Sequence, residues 1–271
     1  MTSVMIFIGV VGWILLLISI LRYLKIKKED NTKTIKNDVR EEKSKVVVIG
    51  GGTGQSVFLR GLKYYTPNIT AIVTVADDGG GSGVLREDLG MLPPGDIRNC
   101  LLSLANIEPT MSEVMKYRFT DGVLKGQSFG NLFLAAMNGV YGNFETAVYK
   151  MSEIFAITGR VLPVTLEDIN LIAHLENGNL VKGESNIPKH VKSQNTRISK
   201  IQLEPESAKP LDDVIKSIYD ADKIVIGPGS LYTSIMPNLL VDGVVEAIKK
   251  SKAPKIYIAN IMTQPGETDN Y

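Results

Sequence analysis

The chain opens on an unbroken apolar run. Val4 to Leu21 reads VMIFIGVVGWILLLISIL, interrupted only by Gly9, Gly12 and Ser19. At about 1.5 Å per helical residue this run can cross a hydrocarbon core of roughly 30 Å, so it predicts one transmembrane helix within residues 1–24. Arg22, Lys25, Lys27 and Lys28 follow directly. Basic residues gather on the cytoplasmic side of a span, so the pattern predicts a single-pass protein of the cell membrane with a cytoplasmic globular part. A cleaved signal peptide would want a basic start and a small-residue cleavage site, yet no Lys or Arg precedes position 22 and no Ala precedes position 71. Residues 25–44 are polar and of mixed charge, too poor in large apolar side chains to order themselves, and read as a tether.

From Lys45 the pattern changes to short β-branched runs alternating with helical spacing. Val46 to Ile49, Ile69 to Ala76, Lys223 to Ile226 and Lys255 to Ala259 are apolar on both faces, as strands of a parallel sheet covered by helices are. Gln55 to Tyr65 and Asp242 to Ser251 have helical spacing, the latter opened by an Asp242 N-cap and closed before Pro254. Residues 160–205 break this rhythm. Leu171 to Leu175 and Leu180 to Gly183 flank Glu176-Asn177-Gly178-Asn179, an Asn-Gly hairpin within an insertion or lid-like subdomain. The expected fold class is therefore α/β, a doubly wound and mostly parallel sheet over residues 45–271 with a small hairpin insertion, preceded by one transmembrane helix.

Composition narrows the function. The 271 residues are 44% hydrophobic and 22% charged, enough for a core without staples. Cys100 is the single cysteine, which rules out an internal disulfide and suits a reducing compartment. A formal net charge of +1 removes the case for a nucleic-acid partner. The basic excess sits just after the apolar segment.

The candidate chemistry lies at strand ends. Gly50-Gly51-Gly52-Thr53-Gly54 follows the first strand and opens a helix. Glycines let the backbone approach an anion, Thr53 supplies a hydroxyl, and a helix start offers unpaired N–H groups. No Lys follows, so this is not a Walker A loop, and Gln55 stands where a dinucleotide fingerprint has its third glycine. Asp77 and Asp78 end the second strand. Either can hold a divalent cation or a ribose hydroxyl, and ordinary turn chemistry explains the pair as well. Pro93-Pro94-Gly95-Asp96-Ile97-Arg98-Asn99 sets a rigid turn before a helix, with Arg98 placed to fork onto a phosphate or to pair with an Asp. Gly227-Pro228-Gly229-Ser230 repeats the logic of the first glycine loop, and two such loops on one sheet can embrace a diphosphate. His174, inside the hairpin, reads as a half-buried strand residue.

The order of these motifs resembles the YvcK-like gluconeogenesis factors of the CofD-like superfamily. The residues that carry the resemblance are Gly50 to Gly54, Val75 to Gly80 with Ser82-Gly83, Pro93 to Asn99, Gly130-Asn131, Gly227 to Ser234 and Thr263 to Asp269. The resemblance implies a Rossmann-like fold that binds a uridine diphosphate sugar such as UDP-N-acetylglucosamine. It also implies a bacterial regulatory role joining carbon metabolism to cell-wall (peptidoglycan) synthesis and cell shape. Carried over, Gly51, Gly52, Thr53, Gly54, Asp77, Asp78, Asn99, Asn131, Gly227, Gly229 and Ser230 line the ligand cleft. No cofactor is needed for binding, and likeness to CofD itself puts Mg²⁺ near Asp77 or Asp78. Gly81 departs from the family, which usually has a second serine there, and a membrane anchor is not general in it. Family chains also continue past the position of Tyr271, which puts part of the base-recognition surface outside this sequence. The implied partners are the nucleotide sugar, the membrane through the N-terminal helix, and a second copy in a homo-oligomer. The alternative implied activity is Mg²⁺-dependent transfer of a phospholactyl group from a nucleotide diphosphate donor. An NAD enzyme is a weaker third reading, because the fingerprint glycine is missing.

Overall fold

A computed structural model describes residues 44–107 and 109–269. Strands β1 (Val46–Gly50), β2 (Ile69–Val73), β3 (Arg160–Pro163), β7 (Lys223–Ile226) and β8 (Lys255–Tyr257) form a five-stranded sheet in the order β3-β2-β1-β7-β8. Every pairing in it is parallel, with Val46 beside Ile69 on one side and Lys223 on the other. All residues of β1 and β2 are buried, as their two-sided apolar runs require. A second sheet, antiparallel and in the order β5-β4-β6, consists of β4 (Asn170–Leu175), β5 (Leu180–Lys182) and β6 (Ile198–Glu204).

The helices in chain order are α1 (Gly52–Leu62), α2 (Gly80–Leu89), α3 (Gly95–Leu104), α4 (Pro109–Lys116), α5 (Phe129–Tyr141), α6 (Phe144–Ile154), α7 (Ile187–Ser193), α8 (Asp212–Asp220), α9 (Met236–Leu239) and α10 (Val244–Lys250). A π-helical turn, Leu231–Ile235, leads into α9. The core is Ile49, Leu59 and Ile72 from the sheet and α1, with Ile97, Leu101 and Leu104 of α3, Leu134, Met151 and Phe155, all fully buried. Each such side chain contributes about 1.5–3 kcal/mol by leaving water. Phe133 stacks on Phe155 with ring centroids 6.0 Å apart.

Several expectations are corrected. No helix among the described residues is long and apolar enough to cross a membrane. The longest, α5, has 13 residues, about 20 Å of helix against a core of roughly 30 Å. This overturns the single-pass membrane placement; the apolar run and the tether that suggested it lie outside the described residues. The stretch 160–205 is not one insertion, because Arg160–Pro163 pairs with β2 as an edge strand, where Pro163 costs no ladder bond. The hairpin is present, with Gly178 at φ 88°, but gains β6 as a third strand. Strand β8 is exposed throughout rather than covered on both faces. Asp242 does not cap α10, whose N-cap is Gly243; its carboxylate instead accepts from Ser207 Oγ at 2.5 Å.

Candidate functional site

In the large sheet β1 has β2 on one side and β7 on the other, so the strand order reverses between β1 and β7. Crevices at the carboxyl ends of strands open at such a reversal. Both glycine loops leave the sheet here, and they touch. A Cβ on Gly54 would stand 2.9 Å from the Pro228 carbonyl oxygen, and one on Gly229 would stand 3.3 Å from that of Gly51. Asn238 donates to the Gly50 carbonyl at 2.8 Å and so fixes the end of β1 from the far side of the π-helical turn. Gly52, at φ 67°, turns the chain into α1 through a backbone region that L side chains rarely adopt.

Gln55 explains the departure from the dinucleotide fingerprint. Its buried amide donates to the Val48 and Ile72 carbonyls at 3.0 and 3.1 Å, while the Cys100 thiol meets its oxygen at 3.6 Å. A glycine there would bring helix and sheet closer; the amide instead ties α1 to β1 and β2. Burial pushes the Cys100 thiol well up, so the lone cysteine stays an inert, neutral part of this packing.

Four carboxyl groups gather around the loops. Asp96, at the start of α3, accepts from the Gly52 N–H at 2.6 Å. Burial and then the charge of Asp77 push it up to about 6, against that N–H and Arg98. Asp77 is raised mainly by burial, while the Gly79 N–H at 2.9 Å and the Ser82 hydroxyl act the other way. Asp78 accepts from the Ser185 N–H at 2.8 Å and thereby fastens the loop between β5 and α7 to the large sheet. From that loop comes Glu184, which burial and the charges of Asp77, Asp96 and Asp78 push up to about 8.

The remaining predicted residues take up supporting places. Arg98 is buried and donates to Ser128 Oγ at 2.5 Å and to Asn99 Oδ1 at 2.6 Å, so Asn99 orients the guanidinium. Gly130 makes room for it, since a Cβ there would lie 2.6 Å from Arg98 Cδ. Asn131 is buried in the first turn of α5 with its Oδ1 unpartnered. Thr53 is exposed at the mouth of the loop. Ser230 Oγ accepts from Gln264 Nε2 at 2.6 Å, and Gly229 O from Asn260 at 2.9 Å, which brings the Thr263–Asp269 motif to the second loop. Sequence reasoning missed Glu184, Thr233 and Glu267 as site residues. The Gly-Glu-Ser after a hairpin strand carries no local signal, and Glu267 stood out only as part of the family motif.

The described residues do not fit a metal centre held by the protein alone, because no group of three or more His, Cys, Asp or Glu is placed to hold an ion. Asp77 and Asp78 each commit an oxygen to a backbone amide. A cleft of about 290 Å³ opens at the other end of the sheet, between Asn68, Gly159 and Ser217. Its Arg160 is bound to Thr70, Asp213 and Ser217, and it faces the amino ends of the strands, so the glycine-loop crevice is the better site.

A parallel sheet with two glycine loops meeting at its switch point defines an α/β protein of the nucleotide-related ligand-binding class. The chain belongs to the family described as 2-phospho-L-lactate transferase CofD, whose profile it matches over residues 46–271. It is 68% identical over 227 residues to a Thermoanaerobacterium thermosulfurigenes protein provisionally described as a gluconeogenesis factor, covering 84% of this chain and 70% of that one. A Clostridium acetobutylicum relative of the same provisional description is 62% identical, over 84% of this chain and 50% of its own length. The gluconeogenesis factor of Bacillus subtilis is 51% identical over 231 residues, 85% of this chain and 72% of that one. A crystal structure of a Bacillus halodurans protein superposes with a TM-score of 0.81 at 51% identity, covering 85% of this chain and 73% of that one.

Proposed function

We propose that the chain is a nucleotide-sugar binding regulator that recognises a uridine diphosphate sugar of the UDP-N-acetylglucosamine type. In this reading it adjusts carbon flux towards cell-wall precursors and so bears on cell shape. The observation that carries the proposal is the contact between the loops of β1 and β7 at the switch point, where glycine backbone lets a diphosphate approach closely and, beyond the Gly52 N–H that Asp96 already takes, α1 begins. The description of the B. subtilis relative as a gluconeogenesis factor supports the metabolic side. Among the predicted contacts, Gly51, Gly52, Thr53, Gly54, Gly227, Gly229 and Ser230 form the loop pair, while Asp77, Asp78, Asn99 and Asn131 shape its surroundings. Isothermal titration of the full chain with a panel of UDP-sugars should show saturable binding, and silence across the panel overturns the reading.

The family description favours a second reading, transfer of a phospholactyl group from a nucleotide diphosphate donor. Turnover discriminates. A transferase consumes donor only when acceptor alcohol and Mg²⁺ are present, whereas a regulator binds the nucleotide and leaves it intact.

A further inference from the structure

The Thr263–Asp269 motif lies against the second glycine loop, and the hydrogen bonds that hold it there have only one possible direction. Gln264 is fixed first through its backbone: its N–H donates to Thr268 Oγ1 at 2.8 Å, and its carbonyl accepts from the Glu267 and Thr268 N–H groups at 3.0 and 2.9 Å. For the side chains, the Gly229 carbonyl settles the rest. That oxygen can only accept, so the Asn260 atom 2.9 Å away is the amide nitrogen Nδ2. The same nitrogen lies 3.0 Å from the Gln264 amide, which therefore presents Oε1 to it and turns Nε2 towards Ser230 Oγ at 2.6 Å. Ser230 Oγ thus accepts, and the one proton of its hydroxyl points elsewhere. Within the chain the acceptor beside it is Glu267, which is buried, takes Thr233 Oγ1 at 3.2 Å through Oε1 and leaves Oε2 without a hydrogen bond of normal geometry.

Resting on the nucleotide-sugar reading, we propose that Gln264 is a positioning residue: by donating to Ser230 Oγ it makes the Ser230 hydroxyl a hydrogen-bond donor to a phosphate oxygen of the bound diphosphate. Ser230 is half-buried at the start of the π-helical turn. It follows Gly229, whose added Cβ would stand 3.3 Å from the Gly51 carbonyl oxygen of the first loop, so it stands where the two loops meet. A serine left to rotate can turn a lone pair towards an anion and repel it. With Gln264 donating to that oxygen, the proton is what remains for the ligand, and a hydrogen bond to a charged phosphate is about twice as strong as one between neutral groups. Glu267 keeps its bond from Thr233 when the Ser230 proton turns to the phosphate. The strap that carries Gln264 is seated independently of the loop it serves, because Gly266 packs against the Pro188 carbonyl of α7 too closely for any side chain.

Isothermal titration with UDP-N-acetylglucosamine tests this on the full chain, as wild type, Ser230→Ala, Gln264→Glu and the double variant. Glutamate at 264 keeps an acceptor for Asn260 but also accepts from Ser230, and so draws the hydroxyl proton away from the ligand. Each single substitution should weaken binding about tenfold, and Gln264→Glu should add nothing once Ser230 is alanine. An equal loss from Gln264→Glu in both backgrounds overturns the proposal, because a structural or purely electrostatic effect does not need the hydroxyl. Wild-type affinity in Ser230→Ala overturns it too, since the proton then belongs to Glu267, and the nucleotide-sugar reading stands in either case. Absence of binding by wild type removes that reading and the proposal with it. If urea unfolding shows that Gln264→Glu does not fold, Gln264→Met takes its place. It lacks the donor without adding charge, so a loss of about threefold should appear with Ser230 present and vanish in Ser230→Ala, and a loss common to both backgrounds again overturns the proposal.

Discussion

A methyl group on Gly54 would meet the Pro228 carbonyl carbon at 3.0 Å and its oxygen at 2.9 Å, and neither backbone atom can swing away. Gly54→Ala should therefore push the two glycine loops apart and destabilise the fold by about 1–3 kcal/mol, read as a lower midpoint in urea unfolding. A methyl group on Gly61, near the end of the same helix, would meet nothing within 4 Å. Gly61→Ala should stabilise by about 0.5–1 kcal/mol in the same measurement, since alanine is the better helix former. Asp96 sets a pH dependence. Its folded value near 6 lies above the ordinary 3.8, so the native state binds the proton more tightly than the unfolded chain does. The stability this contributes is fully present below about pH 4 and is lost as pH rises through 6, a swing of about 2 kcal/mol once discounted for partial exposure. Urea titrations at pH 4 and pH 7 should show Asp96→Asn losing that component of the pH dependence, because asparagine keeps an acceptor for the Gly52 N–H without a charge to desolvate.

At the level of elements, the strands read from the sequence differ in how firmly they are held. β1 is flanked on both sides and buried throughout, while β8 pairs only with β7 and leaves Ile256 43% and Tyr257 55% exposed. Hydrogen exchange should find the amides of Val47 to Ile49 among the most protected and those of β8 exchanging far sooner, and equal protection would contradict the placement of β8 at a free edge. Runs such as Val46 to Ile49 were legible because a β-branched stretch that is apolar on both faces has few uses other than a central parallel strand. Arg160–Pro163 was not, since four residues ending in proline look like a turn until β2 is seen beside them. Strand β6 was hidden for a related reason: Ile198–Glu204 buries Ile198, Ile201 and Leu203, a spacing that breaks strict alternation, and its pairing with β4 is made across more than twenty residues.

Across the whole molecule, the small antiparallel sheet is joined to the crevice by a few polar ties. Asp78 accepts from the Ser185 N–H, and Arg86 of α2 donates to the Ile169 carbonyl at 2.8 Å while pairing with Asp168. Asp78→Ala should release the loop that carries Glu184. We expect the Ser185 amide to lose exchange protection and stability to fall by about 1–3 kcal/mol, with Asp78→Asn, which keeps the acceptor oxygen, close to wild type. Protection of Ser185 unchanged in the alanine variant would show that this tie does not hold the two sheets together.

The amino-acid sequence by itself determined the alternation of parallel strands and helices, the two glycine loops and the family, because hydrophobic period and glycine placement are local properties of the chain. Tertiary structure alone decided that the loops touch, that Asp96 sits on the Gly52 amide, that Thr233 donates to Glu267, and that the loop carrying Glu184 is tied to Asp78. Proximity between residues a hundred positions apart, and the loss of solvent that shifts their protons, exist only once the chain has closed on itself.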